Sequence, residues 1–212
     1  KLVGFSWADA ERGVLLAGID FNGLVPVAAA VTGAALRRRK TVLVLDPAGR
    51  GEAGAVLTSL AAELGVPVQE VVPADGALAG ADGALAAAAG RAIRTRSAIL
   101  AAGTGSGAPL ISDAADVLAQ LRELGLHADC LLWVSGCEAA DPSQLADLLD
   151  LAAATGTVVL ASTTSAAFAR AMAARFGLTV KCGRAGEFTM TGHDGVRTGC
   201  RMVPALALTS VQ

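Results

Sequence analysis

Gly18 and Gly23 stand five apart in "VLLAGIDFNGLVPVAAAV", residues 14–31, after a short apolar run and before an Ala/Val-rich segment suited to a helix. This is the glycine spacing of G-x-x-x-x-G-K-[ST], the loop whose backbone N–H groups cradle phosphate. That loop also needs a Lys on the β/γ oxygens and a hydroxyl to ligate magnesium. Leu24 and Val25 hold those two places and supply neither group. Asp20 and Asn22 lie inside the loop, and a carboxylate at Asp20 would repel a triphosphate. The stretch reads either as an eroded phosphate loop or as a plain strand-to-helix turn with two glycines.

Three more places carry polar residues where α/β proteins do chemistry. In "CLLWVSGCE" the apolar run ends in Ser135, where a P-loop ATPase would hold magnesium with Asp; Glu138 lies three residues on and Asp141 six on. "TVVLASTTS" ends in Ser162, Thr163 and Thr164, the place of a γ-phosphate sensor and equally of ordinary turn chemistry. Asp46 ends "TVLVLD", where a Rossmann fold binds ribose hydroxyls, but it stands 28 residues past Gly18 and no G-x-G-x-x-G precedes it. The Lys-free "GTGSG" at 103–107 reads as a flexible loop over the sheet edge or as plain linker.

Composition limits what these residues can belong to. With 212 residues, 53% hydrophobic but only 3% aromatic and without Tyr, one domain with an Ala/Val/Leu core is expected, suited to close helix-on-sheet packing. A net charge of -2 gives no global attraction for nucleic acid or anionic lipid. DNA remains an open partner that charge does not signal. The one basic cluster, Arg37-Arg38-Arg39-Lys40, reads as a solvated helix end, with a functional patch as the alternative. Cys130, Cys137, Cys182 and Cys200 form no C-x-x-C pair and, with two histidines, no zinc spacing. Cys130 reads as core; Cys182 and Cys200 flank a hairpin and could face each other, with reduced thiols expected. The longest apolar run, Leu24 to Leu36, is too short to span a bilayer and contains Pro26. No membrane contact from this segment and a cytoplasmic location are expected, and a chain opening at Lys1 reads as a domain cut from a longer protein.

The elements that must position these residues alternate. Strands are expected at 14–19, 41–46, 66–72, 97–102, 129–135, 157–163 and 178–182, as continuous apolar runs that suit burial on both faces. Between them, "GAVLTSLAAELG" puts Val56, Leu57, Leu60 and Leu64 on one stripe and stops at Gly65; "SDAADVLAQLRELG" offers Ser112 or Asp113 as N-cap; "DPSQLADLLDLAAATG" offers Asp141 as N-cap, Pro142 at the first turn and Gly156 past the end. "DGALA" at 75–79 and 82–86 is Ala/Gly-rich composition with no repeat architecture. A C-terminal β-hairpin is expected at about 186–209, centred on His193-Asp194-Gly195. The fold class expected is α/β: a mostly parallel, RecA-like P-loop sheet flanked by helices.

Taken in order, these stretches resemble the motor domain of the FtsK/HerA superfamily, including the coupling ATPases of conjugation and type IV secretion. The resembling segments are "VLLAGIDFNGLVPVAAAV", "KTVLVLDPAGRGE", "CLLWVSGCEAAD", "LLDLAAATGTVVLASTTSAAFARAMAARFG" and "CGRAGEFTM". The resemblance implies a phosphate loop vestige at Gly18, Asp20, Asn22, Gly23, Leu24 and Val25, a metal-strand vestige at Ser135 and Glu138, and a sensor vestige at Thr163 and Thr164. Arg184 would be the arginine offered to a neighbouring subunit, or a structural ion pair. With Lys, hydroxyl and Asp all replaced, it implies no catalytic residue, no bound metal, at most weak Mg-ATP binding, and an oligomer with an active ATPase. Two alternatives stay open: an active ATPase using Glu138 or Asp46 for metal, and a doubly wound small-molecule enzyme using Asp46 and the 103–107 loop.

Overall fold

A computed structural model of the chain describes residues 12–71, 84–95, 97–102, 108–123, 125, 130–183, 187–192 and 195–201. Strands β1 (Val14–Gly18), β2 (Thr41–Asp46), β3 (Val68–Val71), β4 (Ala98–Ala102), β5 (Cys130–Ser135), β6 (Val158–Thr163) and β7 (Leu178–Cys182) alternate with helices. The helices are α1 (Phe21–Arg37), α2 (Glu52–Leu64), α3 (Ala84–Thr95), α4 (Ala108–Glu123), α5 (Pro142–Thr155) and α6 (Ala166–Met172). β8 (Glu187–Gly192) and β9 (Arg197–Arg201) follow as an antiparallel extension of β7. The expected hairpin is thus present over its described part; His193, Asp194 and everything past Arg201 lie outside the described residues.

The nine strands form one sheet in the order β3-β4-β2-β5-β6-β1-β7-β8-β9, parallel from β3 through β7. Right-handed crossovers send leftward and rightward connections to opposite faces. Accordingly α1 and α2, whose connections run from β1 to β2 and on to β3, cover one face with Leu24, Val27, Ala28, Val31 and Leu57. The return path from β3 to β7 puts α3, α4, α5 and α6 on the other face. β2, β5 and β6 are buried along their whole length, which is why they read as unbroken apolar runs.

Local signals account for several helix ends. α2 stops at Gly65 and α5 at Gly156, both left-handed at φ 66 and 71, a conformation that spares glycine the Cβ clash. Asp141 caps α5 as its sequence suggests, accepting from the Ser143 amide at 2.7 Å, with Pro142 in the first turn. The expected cap of α4 is corrected: the helix begins at Ala108, so Ser112 and Asp113 are interior. The apolar residues Leu110 and Ile111, both buried, extend the helical stripe one turn earlier than the polar pair suggests. α3 begins inside the second "DGALA"; the first lies outside the described residues.

Candidate functional site

The carboxyl edge of the parallel sheet gathers most of the residues singled out above. Gly18, Asp46, Ser135 and Thr163 each end a strand there. Ser135 pairs in register with Ser162, and one step beyond the Leu45–Val134 pair Asp46 stands beside Ser135. These three lie two residues beyond Leu160, Trp133 and Val44 of the α1/α2 core and so on the same face, where Ser162, Ser135 and Asp46 form a polar row under those helices. All three are buried. The row is partly satisfied internally: the fully buried Trp133 indole donates to Ser162 Oγ at 3.1 Å.

The β1–α1 connection is only Ile19 and Asp20, because α1 opens at Phe21 and not at Leu24. Asp20 is the N-cap, and its Oδ1 accepts from the Gly23 amide at 2.8 Å. The amide that a phosphate loop would offer to a ligand is therefore occupied by the protein's own carboxylate. Leu24 is a core residue with 1% exposure, in the first turn of α1 and packed against the sheet. A Cβ on Gly18 would lie 2.8 Å from Leu24 Cδ2, and one on Gly23 would lie 3.4 Å from the Gly183 carbonyl. Both glycines thus have packing reasons: one lets Leu24 lie over the strand end, the other lets α1 approach the end of β7. Asn22 is exposed and Val25 half-buried.

The β2–α2 connection uses the same device at longer reach. Asp46 Oδ2 accepts from the Gly51 amide at 2.6 Å, tying the end of β2 to the start of α2 across "PAGRG". From this turn Arg50 reaches across to Glu138, at 3.4 Å from Oε1. Glu138 sits in a 3-10 turn, Cys137–Ala139, and the same oxygen accepts from Thr164 Oγ1 at 3.2 Å. Its other oxygen, Oε2, is buried and has no hydrogen-bond partner among the described residues. One carboxylate thus joins the loops after β2, β5 and β6. Thr163 takes no part; its Oγ1 accepts from the Ser165 amide at 3.0 Å, and Ser165 in turn caps α6.

Burial disfavours the thiolate at two of the cysteines. Cys137 is fully buried beside Glu138, and burial first, with that charge second, pushes its ionisation well above the ordinary range. Burial raises Cys182 to about 11. Cys182 and Cys200 both pair in register with Phe188, from β7 and β9. Two strand spacings, about 10 Å, separate them, beyond the roughly 7 Å reach of a disulfide. They flank the hairpin but do not face each other.

The edge can therefore bind its own loops. Asp20, Asp46 and Glu138 are each hydrogen-bonded to the protein's own loops, and no group of three or more His, Cys, Asp or Glu among the described residues could hold a metal ion. Asp46 and Glu138 are not brought together on one ligand position: Asp46 is turned to Gly51 and Glu138 to Arg50 and Thr164. Arg184 and the 103–107 loop lie outside the described residues. Sequence reasoning missed Arg50, whose only signal is a lone cation within the glycine-rich "PAGRGE". No helix among the described residues is long and apolar enough to cross a membrane. No protein-family model matches the chain, and a search of curated proteins finds no significant relative.

Proposed function

We propose that this chain is a catalytically degenerate P-loop domain serving as a structural or regulatory part of an oligomeric translocase, secretion or DNA-transfer assembly. The observation that carries the reading is strand order. β6, which ends in Thr163, lies between β1 and β5, which ends in Ser135. That is the order expected of a P-loop ATPase with its sensor strand between the phosphate-loop and metal strands. A Rossmann sheet, ordered 3-2-1-4-5-6, would put β1 beside β2, whereas here two strands separate them.

Degeneracy is supported by what fills the edge. Catalysis of phosphoryl transfer rests on positioning and on stabilising charge at the phosphates. Here a carboxylate holds the helix N-terminus, Leu24 is in the core, and Ser135 replaces the metal-binding Asp. The domain would contribute surface to a complex whose active ATPase is another domain or chain.

The test is titration with a fluorescent ATP analogue and magnesium, alongside a turnover assay. No saturable binding at millimolar nucleotide and no phosphate release are expected. Magnesium-dependent binding at micromolar nucleotide would overturn the reading, and loss of that binding in Glu138→Gln would move the metal to Glu138.

A further inference from the structure

The antiparallel end of the sheet has one apolar face and one polar face. Val180, Cys182 and Met190 belong to the α1/α2 core and Phe188 packs against it. By alternation Lys181, Glu187, Thr189, Arg197 and Gly199 share the opposite face, and none of these five is buried. The core beneath α3, α4, α5 and α6 takes no residue from β7, β8 or β9. The register sets Lys181, Thr189 and Gly199 side by side across the three strands, and together they line a hollow of about 630 Å³. Glu187, the one carboxylate of that lining, stands opposite Arg201 in register.

β9 closes this end of the sheet and is paired on one side only among the described residues. The Gly192 amide donates to the Val196 carbonyl. By antiparallel alternation Thr198 and Cys200 then bond to β8, while Arg197 and Gly199 turn their amides and carbonyls outward. Gly199 has no local reason to be glycine: a Cβ there would meet nothing within 4 Å, and its φ is not in the left-handed region. Glycine weakens a strand and marks places where a ligand or another backbone comes close. Here its missing side chain opens the row from the outer edge of β9 to Thr189 and Lys181.

We propose that β9 is the docking edge for an extended acidic peptide, which adds to the sheet as a further strand and sends one carboxylate over Gly199 to the Thr189 hydroxyl and the Lys181 ammonium. At about 4.8 Å per strand, the added strand lies about 10 Å from β8 and about 14 Å from β7. A Glu side chain crossing the bare glycine, met by the long Lys181 side chain, spans that gap; a side chain at position 199 would block it. In strand addition the main-chain bonds give affinity and the alternate side chains give specificity. Charge selects an acidic strand, because Lys181 and Arg197 are exposed on this face. Charge also disfavours a second copy: antiparallel β9 edges centred on Gly199 would set Arg197 opposite Arg201. The inference goes beyond the degenerate P-loop reading and uses none of its residues.

Fluorescence anisotropy of a labelled peptide of about seven residues, alternating Glu and Val, tests it on the full chain, on Gly199→Val and on Lys181→Gln. Saturable micromolar binding is expected at about 0.1 M salt. It should vanish when Lys replaces Glu in the peptide, and when two adjacent prolines remove a ladder donor whichever way the strand faces. Gly199→Val should bind at least about tenfold more weakly while melting no lower than wild type, since its added side chain starts in open space and valine favours strands. Lys181→Gln, at an exposed position, should weaken binding at least about threefold and flatten its salt dependence. Absence of saturable binding by wild type at millimolar peptide overturns the proposal. So does a Gly199→Val chain that binds as tightly as wild type, or a proline-containing peptide that still binds. A wild type that dimerises without peptide and loses the dimer in Gly199→Val would give the edge to a second copy, and an oligonucleotide that binds with the same loss would give it to nucleic acid; either result overturns the proposal. Nucleotide binding at the β1–α1 turn would leave every one of these outcomes unchanged.

Discussion

The turns after β1 and β2 solve one problem in two ways. Each must satisfy the start of a helix at the carboxyl edge of the sheet, and each does so with a carboxylate on a backbone amide: Asp20 on Gly23 and Asp46 on Gly51. Asp20 is exposed and caps across three residues; Asp46 is 2% exposed and reaches across five. An exposed cap replaces water and contributes modestly, whereas a buried one also removes the cost of an unpaired polar group. The comparison teaches that what looks like an empty ligand loop in sequence is, in the fold, a self-satisfied turn whose energetics depend on depth.

Restoring the lysine of a phosphate loop is the harshest way to break this comparison. Leu24→Lys removes a buried leucine and inserts a charge under α1, with an expected cost of at least about 4 kcal/mol. At about 2–4 °C per kcal/mol for a chain of this size, the melting temperature should fall by about 8–16 °C, with no nucleotide binding gained. A folded, ATP-binding Leu24→Lys would mean the turn can open. Asp46→Ala should come next, at about 2–3 kcal/mol, since it leaves the Gly51 amide without its acceptor. Asp20→Ala should cost about 1 kcal/mol by thermal denaturation, the ordinary value of an N-cap. Equal effects at positions 20 and 46 would erase the distinction drawn from burial. Smaller again, Arg50→Ala should cost less than about 1 kcal/mol, because the Arg50 side chain is 47% exposed.

Two further carboxylates sharpen the contrast through pH. Asp141 is held below the ordinary carboxylate range, first by the Ser143 hydroxyl and then by the Ser143 amide. Its stabilising effect is present above the unfolded value near 3.8 and is lost as pH falls through the lowered folded value. Asp113, inside α4 with a buried Oδ2 that has no hydrogen-bond partner among the described residues, is raised, first by burial and then by Asp116. Its penalty is absent in acid and sets in as pH rises from the unfolded value near 3.8 to the raised folded one. Asp113→Asn should therefore be slightly more stable than wild type at pH 7 and indistinguishable from it below about pH 3, by urea denaturation at each pH. The opposite trend would mean that Asp113 has a partner in solution.

Much of the architecture is determined by local chemistry, and so was open to inspection in the chain itself. Unbroken apolar runs such as "CLLWVS" demand burial on both faces; Asp141-Pro142 starts a helix and Gly65 and Gly156 end two others, whatever surrounds them. Those rules act within a few residues and yield the α/β class. The role of a side chain at the carboxyl edge is different, because it depends on neighbours distant in sequence. Only the tertiary structure decided that Gly18 makes room for Leu24, that Glu138 is held by Arg50 and Thr164, and that Cys182 and Cys200 have Phe188 between them. The pattern G-x-x-x-x-G describes spacing along a chain; whether its amides face a ligand depends on where the helix begins, and a single carboxylate at Asp20 starts that helix at Phe21, three residues before Leu24.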